Sequence, residues 1–494
     1  MTAASEPNNA AVVSGGGRSD PASKNRFDEL ISTALTLLAL GGAAVILVLH
    51  GISGFSWREQ PFLGIRTTRS MVVNGAVPVT PGDWEGYSAG IRRLDVLISI
   101  NGQPLDGGYN APEQLNALLR TMSVGQTVTV EFNRPVTDEN VPIYGREVCA
   151  PPQNGFAACS VSYPLSTFPG NDFLASFAVS FFSGVVVLGA GVFTYVMRPR
   201  QSAARLLAVM SSLAAIFLGG IFDLDTTYTY DVLWMVSLVL LGGSLLSLAL
   251  IFPVKHNLIY RYPIARWLPF IASLFVVASL YLIEVNPPSP SALLWTSVLA
   301  AGWAALGVVV FIVSLINCRR HAQTVIIRDQ SNTMLIGFGL MTIFGVLFFV
   351  NGLTRSLFGS DLVPINVSAA TPFLILPILS IAYAVIQYRS TNTDRVLTQT
   401  ITYGLMLFAL IVGYFLIVLS SSLIVRRIVA ADDPVFIAAI IFGLAVMFLP
   451  VRNALQRRID AVYFRRRIQN QQYLEAFSQQ VSSLVTVSDI VRAY

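Results

Sequence analysis

The residues of this chain best suited to metal or nucleophilic chemistry are three histidines and three cysteines, and their spacing decides what they can do. A zinc hydrolase acting within a membrane needs His-Glu-x-x-His, which sets two imidazoles and a general base on one helix face. His50, His256 and His321 stand far apart, and none has a Glu beside it. A serine nucleophile needs a base within reach, and Gly243-Ser244 has no intramembrane histidine to serve it. The sequence therefore offers no catalytic constellation, no metal site and no cofactor motif. Asp223, Asp225, Asp231 and Glu284 fall at the ends of apolar runs, where solvated loop carboxylates are the ordinary expectation. The alternative is a ring of acids that recognises a cationic ligand. With no charge inside the apolar runs, a proton- or ion-coupled transporter is disfavoured.

The cysteines point to a bond instead of a nucleophile. Cys149 and Cys159 flank a turn-rich insert, Pro151, Pro152, Asn154 and Gly155. If this segment lies outside the cytoplasm, an oxidising compartment permits a Cys149–Cys159 disulfide between two short strands; the alternative is two free thiols. Cys318 ends an apolar run on the opposite side.

The elements that position these residues follow from composition. Hydrophobic residues make up 54% of the chain and charged residues 12%, against roughly 25% charged in soluble proteins. A span needs about 20 mostly apolar residues. Such runs are Leu30 to His50, Phe173 to Met197, Leu206 to Phe222, Val232 to Phe252, Trp267 to Ile283, Leu293 to Ile316, Met334 to Val350, Ala370 to Gln387, Ile401 to Leu423 and Val435 to Pro450. The expected fold is a polytopic α-helical membrane protein of about ten transmembrane helices in a lipid bilayer. Residues 1–29 form a polar leader expected to be disordered, 30–50 a retained anchor, 173–450 a sensor bundle of nine helices and 451–494 a further segment. Arg and Lys concentrate in alternate loops, which places both termini in the cytoplasm of a bacterial inner membrane. The net charge of +5 is spread over many loops, unlike a nucleic-acid-binding face. Gly184, Leu188 and Val192 beside Gly189, and Gly337, Met341 and Gly345, suggest close helix packing. Pro372 and Pro377 suggest a kink.

Residues 55–170 change abruptly to polar sequence with short β-branched runs at Met71 to Val73, Ala76 to Val79, Val96 to Ile100 and Val128 to Phe132. Helical spacing of Leu115, Leu118, Leu119 and Met122 predicts a helix over Ala111 to Met122. The stretch Ala89-Gly90-Ile91 through Asp95-Val96-Leu97-Ile98-Ser99-Ile100-Asn101-Gly102, with the closing run Ser123 to Arg134, resembles the bacterial PDZ signature. Leu94 stands where that family usually has Gly. The resemblance implies a small extracytoplasmic α+β domain that adds a peptide to a sheet edge and holds its terminal carboxylate on backbone amides. Phe62-Leu63-Gly64-Ile65 would be the carboxylate loop, and Ile65 with Leu115 or Leu118 the side-chain pocket. The bland reading is a PDZ fold serving as a spacer or dimer contact.

Beyond the last apolar run, Leu455, Ile459 and Val462, then Tyr473, Phe477, Val481 and Leu484, recur at helical spacing, predicting an amphipathic exit helix that could pair two copies into a homodimer. Together with Thr393 to Thr400 and Leu250-Ile251-Phe252-Pro253, this tail resembles the linkers of pheromone-type quorum-sensing histidine kinases and related GAF or phosphatase receptors of two-component systems. The resemblance implies the sensory part of a signal-transduction receptor whose ligand is a peptide, a protein C-terminus or a small extracytoplasmic molecule. No phospho-accepting His with nucleotide-binding boxes follows, so the output domain is expected beyond Tyr494 or on a separate protein. The rivals are a scaffold or quality-control factor that gathers exported C-termini, and a transporter.

Overall fold

Lipid offers backbone groups no hydrogen-bond partner, so long apolar runs close their bonds internally as helices. The computed structural model describes residues 21–386 apart from 81, 106, 109, 137–140, 286–291, 323 and 359–370, all within the compact unit Met1–Ser420. The chain starts with α1 (Pro21–Arg58) and then builds a β-domain. It returns as α4 (Gly170–Phe173), which runs through a π-helical turn at Leu174–Ala178 into α5 (Val179–Met197). There follow α6 (Ser202–Leu224), α7 (Asp231–Ile251), the short α8 (Asn257–Arg261), α9 (Leu268–Val285), α10 (Ala292–Arg320), α11 (Val325–Phe358) and α12 (Ile375–Ile386). Six stretches are long and apolar enough to cross a membrane: Glu29–Arg58, Gly170–Met197, Ser202–Leu224, Asp231–Ile251, Ile264–Val285 and Val298–Arg320. Leu30, Leu38, Val45 and Val48 of α1 and Phe275 and Leu282 of α9 are exposed. Such apolar surface belongs against lipid tails, and the chain is a polytopic helical membrane protein.

The first six expected spans coincide with these helices, apart from the end of the first. The helix predicted to end at His50 continues to Arg58, because Gly51 and Gly54 let α1 lie against Phe181 and Phe177 and Trp57 joins an aromatic cluster with Phe62, Phe168 and Phe222. Within the predicted run Ala370 to Gln387, the described residues form a 3-10 turn, Thr371–Leu374, followed by α12. Pro377 therefore sits in the first turn of a helix, where its missing amide costs little, instead of kinking a long span. The runs Ile401 to Leu423 and Val435 to Pro450, the leader, and the tail with Leu455, Ile459, Val462, Tyr473, Phe477, Val481 and Leu484 lie outside the described residues.

Small residues set the helix contacts. An added Cβ at Gly191 would stand 2.5 Å from Ser211 Cβ on α6, and one at Gly307 on α10 would stand 2.5 Å from the Gly242 carbonyl oxygen on α7. Gly184 and Gly337 also meet neighbouring helices, whereas Gly189 and Gly345 face open space. The working spacing on α5 is thus Gly184 to Gly191. The core between the helices is built from residues such as Leu207, Met210, Leu248, Phe311, Phe338 and Ile381.

The β-domain is α+β. Antiparallel strands run in the order β3 (Gln103–Pro104), β2 (Val96–Ile100), β4 (Thr127–Pro135), β6 (Phe156–Pro164), β5 (Val148–Cys149). A separate pair joins β1 (Pro61–Phe62) to β7 (Ser166–Thr167). The two-residue period turns Val128, Val130, Phe132 and Arg134 of β4, and Ala157, Cys159, Val161 and Tyr163 of β6, to one buried face. That face meets α3 (Ala111–Arg120), which has Pro112 in its first turn and buries Leu115 and Leu119. A short α2 (Glu85–Ser88) covers the other side of the loop after β1. Met71 to Val73 makes only isolated bridges, and Ala76 to Val79 is no strand. Cys149 and Cys159 pair directly across β5 and β6 and are disulfide-bonded, with Asn154 and Gly155 turning the loop at positive φ. Leu94 adopts a left-handed angle, φ 73°.

Candidate functional site

Two arginines of one short segment fasten the β-domain to the helices. The segment Ile65 to Arg69 is zipped on one side to Val72–Asn74, with Thr68 N–H donating to Val72 O at 2.7 Å and Asn74 N–H to Arg66 O at 2.9 Å. Arg66, beside the single bridge of Thr67 to Val73, and Arg69, in the turn closed by the Met71 amide donating to Thr68 O, both reach the bundle. The Arg66 side chain is only 2% exposed. It donates to Asp225 Oδ2 at 3.2 Å and to Ser176 Oγ at 2.9 Å, and its guanidinium lies 5.0 to 5.6 Å from the ring centres of Phe168, Trp84 and Phe222. Burial presses Arg66 below its ordinary pKa, while Asp225 and Asp172 work to keep it charged. The π-helical turn aims Ser176 here, and Asp172 one turn earlier accepts the Val79 amide at 2.9 Å. Arg69 pairs with Asp231 at the start of α7 and, at 4.0 Å, with Glu284 near the end of α9, and it lies over the Tyr228 ring.

These contacts overturn the expectation for the acids. Asp223, Asp231 and Glu284 are buried, and Asp225, Asp231 and Glu284 are partnered by arginines of this chain instead of by solvent or a cationic ligand. Asp223 plays a different part. Its carboxylate accepts from Thr227 Oγ1, from Thr229 N at 3.2 Å and from Tyr230 N at 2.8 Å, which shapes the loop between α6 and α7. The signal for all this was present as two arginines shortly beyond Gly64, but sequence alone does not say which carboxylates meet them. His50, expected at a span end, is buried with its ring edge-on to Tyr230 at 5.0 Å, tying α1 to α7.

The residues expected to bind a peptide divide between two clusters. Leu63, Ile65 and Leu115 are buried together, with Leu118 packed against them. Phe62 belongs instead to the aromatic cluster with Trp57, Trp84 and Phe168. Gly64 sits at φ 71°, and a Cβ there would stand 2.2 Å from the Gly86 nitrogen, so only glycine permits this loop against α2. Gly64 O accepts the Tyr87 amide at 3.0 Å and Leu63 O the Tyr163 hydroxyl at 2.8 Å. Among the described residues, the amides of Leu63, Gly64 and Ile65 donate to nothing. Three successive unpaired amides are an anion-holding arrangement.

The string Gly86-Tyr87-Ser88-Ala89-Gly90 has the letters of a serine nucleophile elbow. It forms the end of α2 and the following turn, and no histidine occurs between His50 and His256, so it lacks both the strand-turn-helix context and a base. Its last glycine has a structural use: Glu147 packs directly on Gly90, where a Cβ would collide with the carboxylate. Glu147 in turn holds Arg134, which also binds Asp95 through two nitrogens.

No family model matches this chain, and neither does any curated protein or solved structure.

Proposed function

We propose that the chain is the sensory part of a membrane receptor, in which a PDZ-like domain outside the cytoplasm reports ligand binding through the helix bundle to an output domain on the inner side. The observation that carries this reading is the seating of Arg66 and Arg69, from one short segment of the β-domain, in carboxylates at the ends of three membrane-compatible helices. A ligand that shifts this segment changes the contacts of α6, α7 and α9 together, which gives it the differential interaction a population shift requires. From α7 the route continues into α10 by the Gly242 and Gly307 contact and by Ser314 Oγ donating to Ala249 O at 3.2 Å. It ends near Arg319, Arg320 and Arg328, a basic cluster suited to the cytoplasmic face. A scaffold that collects exported C-termini needs a tether and no such linkage, so it ranks second. Transport ranks third, because the buried charges neutralise one another at one end of the bundle.

Cys318, the free thiol at the far end of α10, reports on the linkage. Arg69→Gln leaves Asp231 and Glu284 without their cation, and coupling of ordinary size changes the alkylation rate of Cys318 by a membrane-permeant maleimide about fivefold or more. An unchanged rate in the full chain, with the β-domain still protease-resistant, would remove the receptor mechanism.

A further inference from the structure

The extended stretch Arg66 to Thr68, bridged to Val73 through Thr67, has a second edge. Its Thr68 amide and Arg66 carbonyl are used by Val72–Asn74, so the carbonyl of Thr67 points the other way, toward the side on which α3 stands. That edge is occupied. The loop between α6 and α7 reaches across it: Tyr228 Oη donates to Thr67 O at 3.1 Å, and Thr226 O accepts from Asn116 Nδ2 of α3 at 3.4 Å. One loop of the helix bundle thus bridges the strand edge and the helix that would form the two walls of a peptide groove.

The loop is shaped for this position independently of the groove. Asp223 gathers its amides and hydroxyls from within, and Tyr228 adopts φ 55°, a left-handed angle that a residue with a side chain rarely takes. Asp225 and Asp231 at its ends hold Arg66 and Arg69. It is nevertheless an incomplete occupant. The amides of Leu63, Gly64 and Ile65, beside the same strand, remain without an acceptor among the described residues. Buried backbone donors are nearly always paired, so this end of the groove is left for a group the loop does not supply, one with acceptor oxygens and negative charge.

We propose that the α6–α7 loop is an internal competitor seated in the peptide groove of the β-domain, and that its natural rival is the free C-terminus of an extended polypeptide. The inference rests on the PDZ-like reading given above and deepens it. Such a terminus pairs with the Thr67 edge as a strand, places an apolar last side chain toward Ile65, Leu115 and Leu118, and gives its carboxylate to the three amides. Because it satisfies donors that the loop leaves idle, it displaces the loop. In leaving, the loop pulls on Asp225 and Asp231, so that groove occupancy and the arginine contacts are two ends of one movement. Part of the external ligand's affinity is used to expel the loop, and its apparent affinity falls by the fraction of molecules whose groove is closed.

The test uses the full chain in lipid nanodiscs and fluorescein-labelled decapeptides ending in Ala, Val, Leu or Phe, each as free acid and as amide. Tyr228→Phe keeps the ring over Arg69 and removes the bond to Thr67. It should tighten binding of the free-acid peptides about fivefold, the scale of one neutral hydrogen bond. Asn116→Cys with Thr226→Cys in a Cys318→Ser background, bridged by a short bis-maleimide, should abolish binding, while the unbridged protein binds. The amide peptides should bind at least about tenfold more weakly, as expected when a charge-assisted contact is lost. Equal affinity in wild type, Tyr228→Phe and the bridged protein overturns the competitor while leaving the peptide groove standing. Absence of binding in every form, Tyr228→Phe included, overturns the competitor and the PDZ-like reading together. Indifference to amidation overturns the assignment of a C-terminus as the rival.

Discussion

Replacing Arg134 by methionine should unfold the β-domain well before the helices. All five guanidinium N–H groups are committed: Nε to Asp95 Oδ1 at 3.1 Å, Nη2 to Asp95 Oδ2 at 2.9 Å and to Gly90 O at 2.7 Å, and Nη1 to Glu147 Oε1 at 2.8 Å and Pro142 O at 2.7 Å. Side-chain exposure is 3% for Arg134, 1% for Asp95 and 0% for Glu147. Methionine fills similar space but strands two carboxylates away from water. Breaking a buried pair in this way costs about 3–5 kcal/mol. In a domain of about 100 residues each kcal/mol moves the midpoint by about 4–8 °C, so a fall of at least about 12 °C is expected. Pulse proteolysis of the full chain in nanodiscs across a temperature series, reading the β-domain fragment, measures it. Adding Asp95→Asn and Glu147→Gln removes the stranded charges and should recover at least about half of the loss, because the penalty lies in uncompensated charge and not in volume. Arg134→Lys should fall between, since three donors replace five. An Arg134→Met midpoint within about 3 °C of wild type, too small a change for stranded charge, or a neutralised triple variant no better than Arg134→Met, would refute this reasoning.

Two further outcomes can be measured in the same assay. Leu94→Gly should stabilise the β-domain by about 0.5–1 kcal/mol, since Leu94 holds φ 73° and the residue is 52% exposed, leaving strain to relieve and little packing to lose. Burial alone would raise the Glu147 carboxyl, yet hydrogen bonds from Arg134 and the Tyr144 amide hold it below its ordinary value. The stability it contributes is present above its unfolded pKa and is lost as pH falls through the folded one. Asp95, which burial raises, acts in the opposite sense. Glu147→Gln should therefore lower the midpoint at neutral pH and converge with wild type as the pH falls below the ordinary carboxylate range and through the lowered folded pKa; a gap that widens on acidification would contradict the assignment.

Periodicity made much of the fold readable. The span Val232 to Phe252 lies within one residue of the helical boundary at each end, because apolar length in lipid admits one backbone solution. Helix α3 and strands β2 and β4 followed from spacing and β-branching, and the cysteine pair from two thiols on either side of a tight turn. What composition could not convey was partnership. Asp225, Asp231 and Glu284 look identical to solvated loop acids until the strand after Gly64 is placed beside them, since an ion pair spanning 159 residues, such as Arg66 with Asp225, leaves no local trace. The same holds for Phe62, whose assignment to a peptide loop depended on neighbours in sequence, while its ring was drawn to Trp57 and Phe168 from two other segments.

The turn joining α6 to α7 has an engineering consequence. Surface connections normally accept added residues at small thermodynamic cost, and for that reason they are chosen for epitope tags and reporter insertions. Here seven residues, Asp225 to Asp231, are held to length at both ends by ion pairs and in the middle by Asn116 and Thr67. One extra residue would put the two anchors out of step, so this site, inviting on a topology diagram, is the wrong place for a tag.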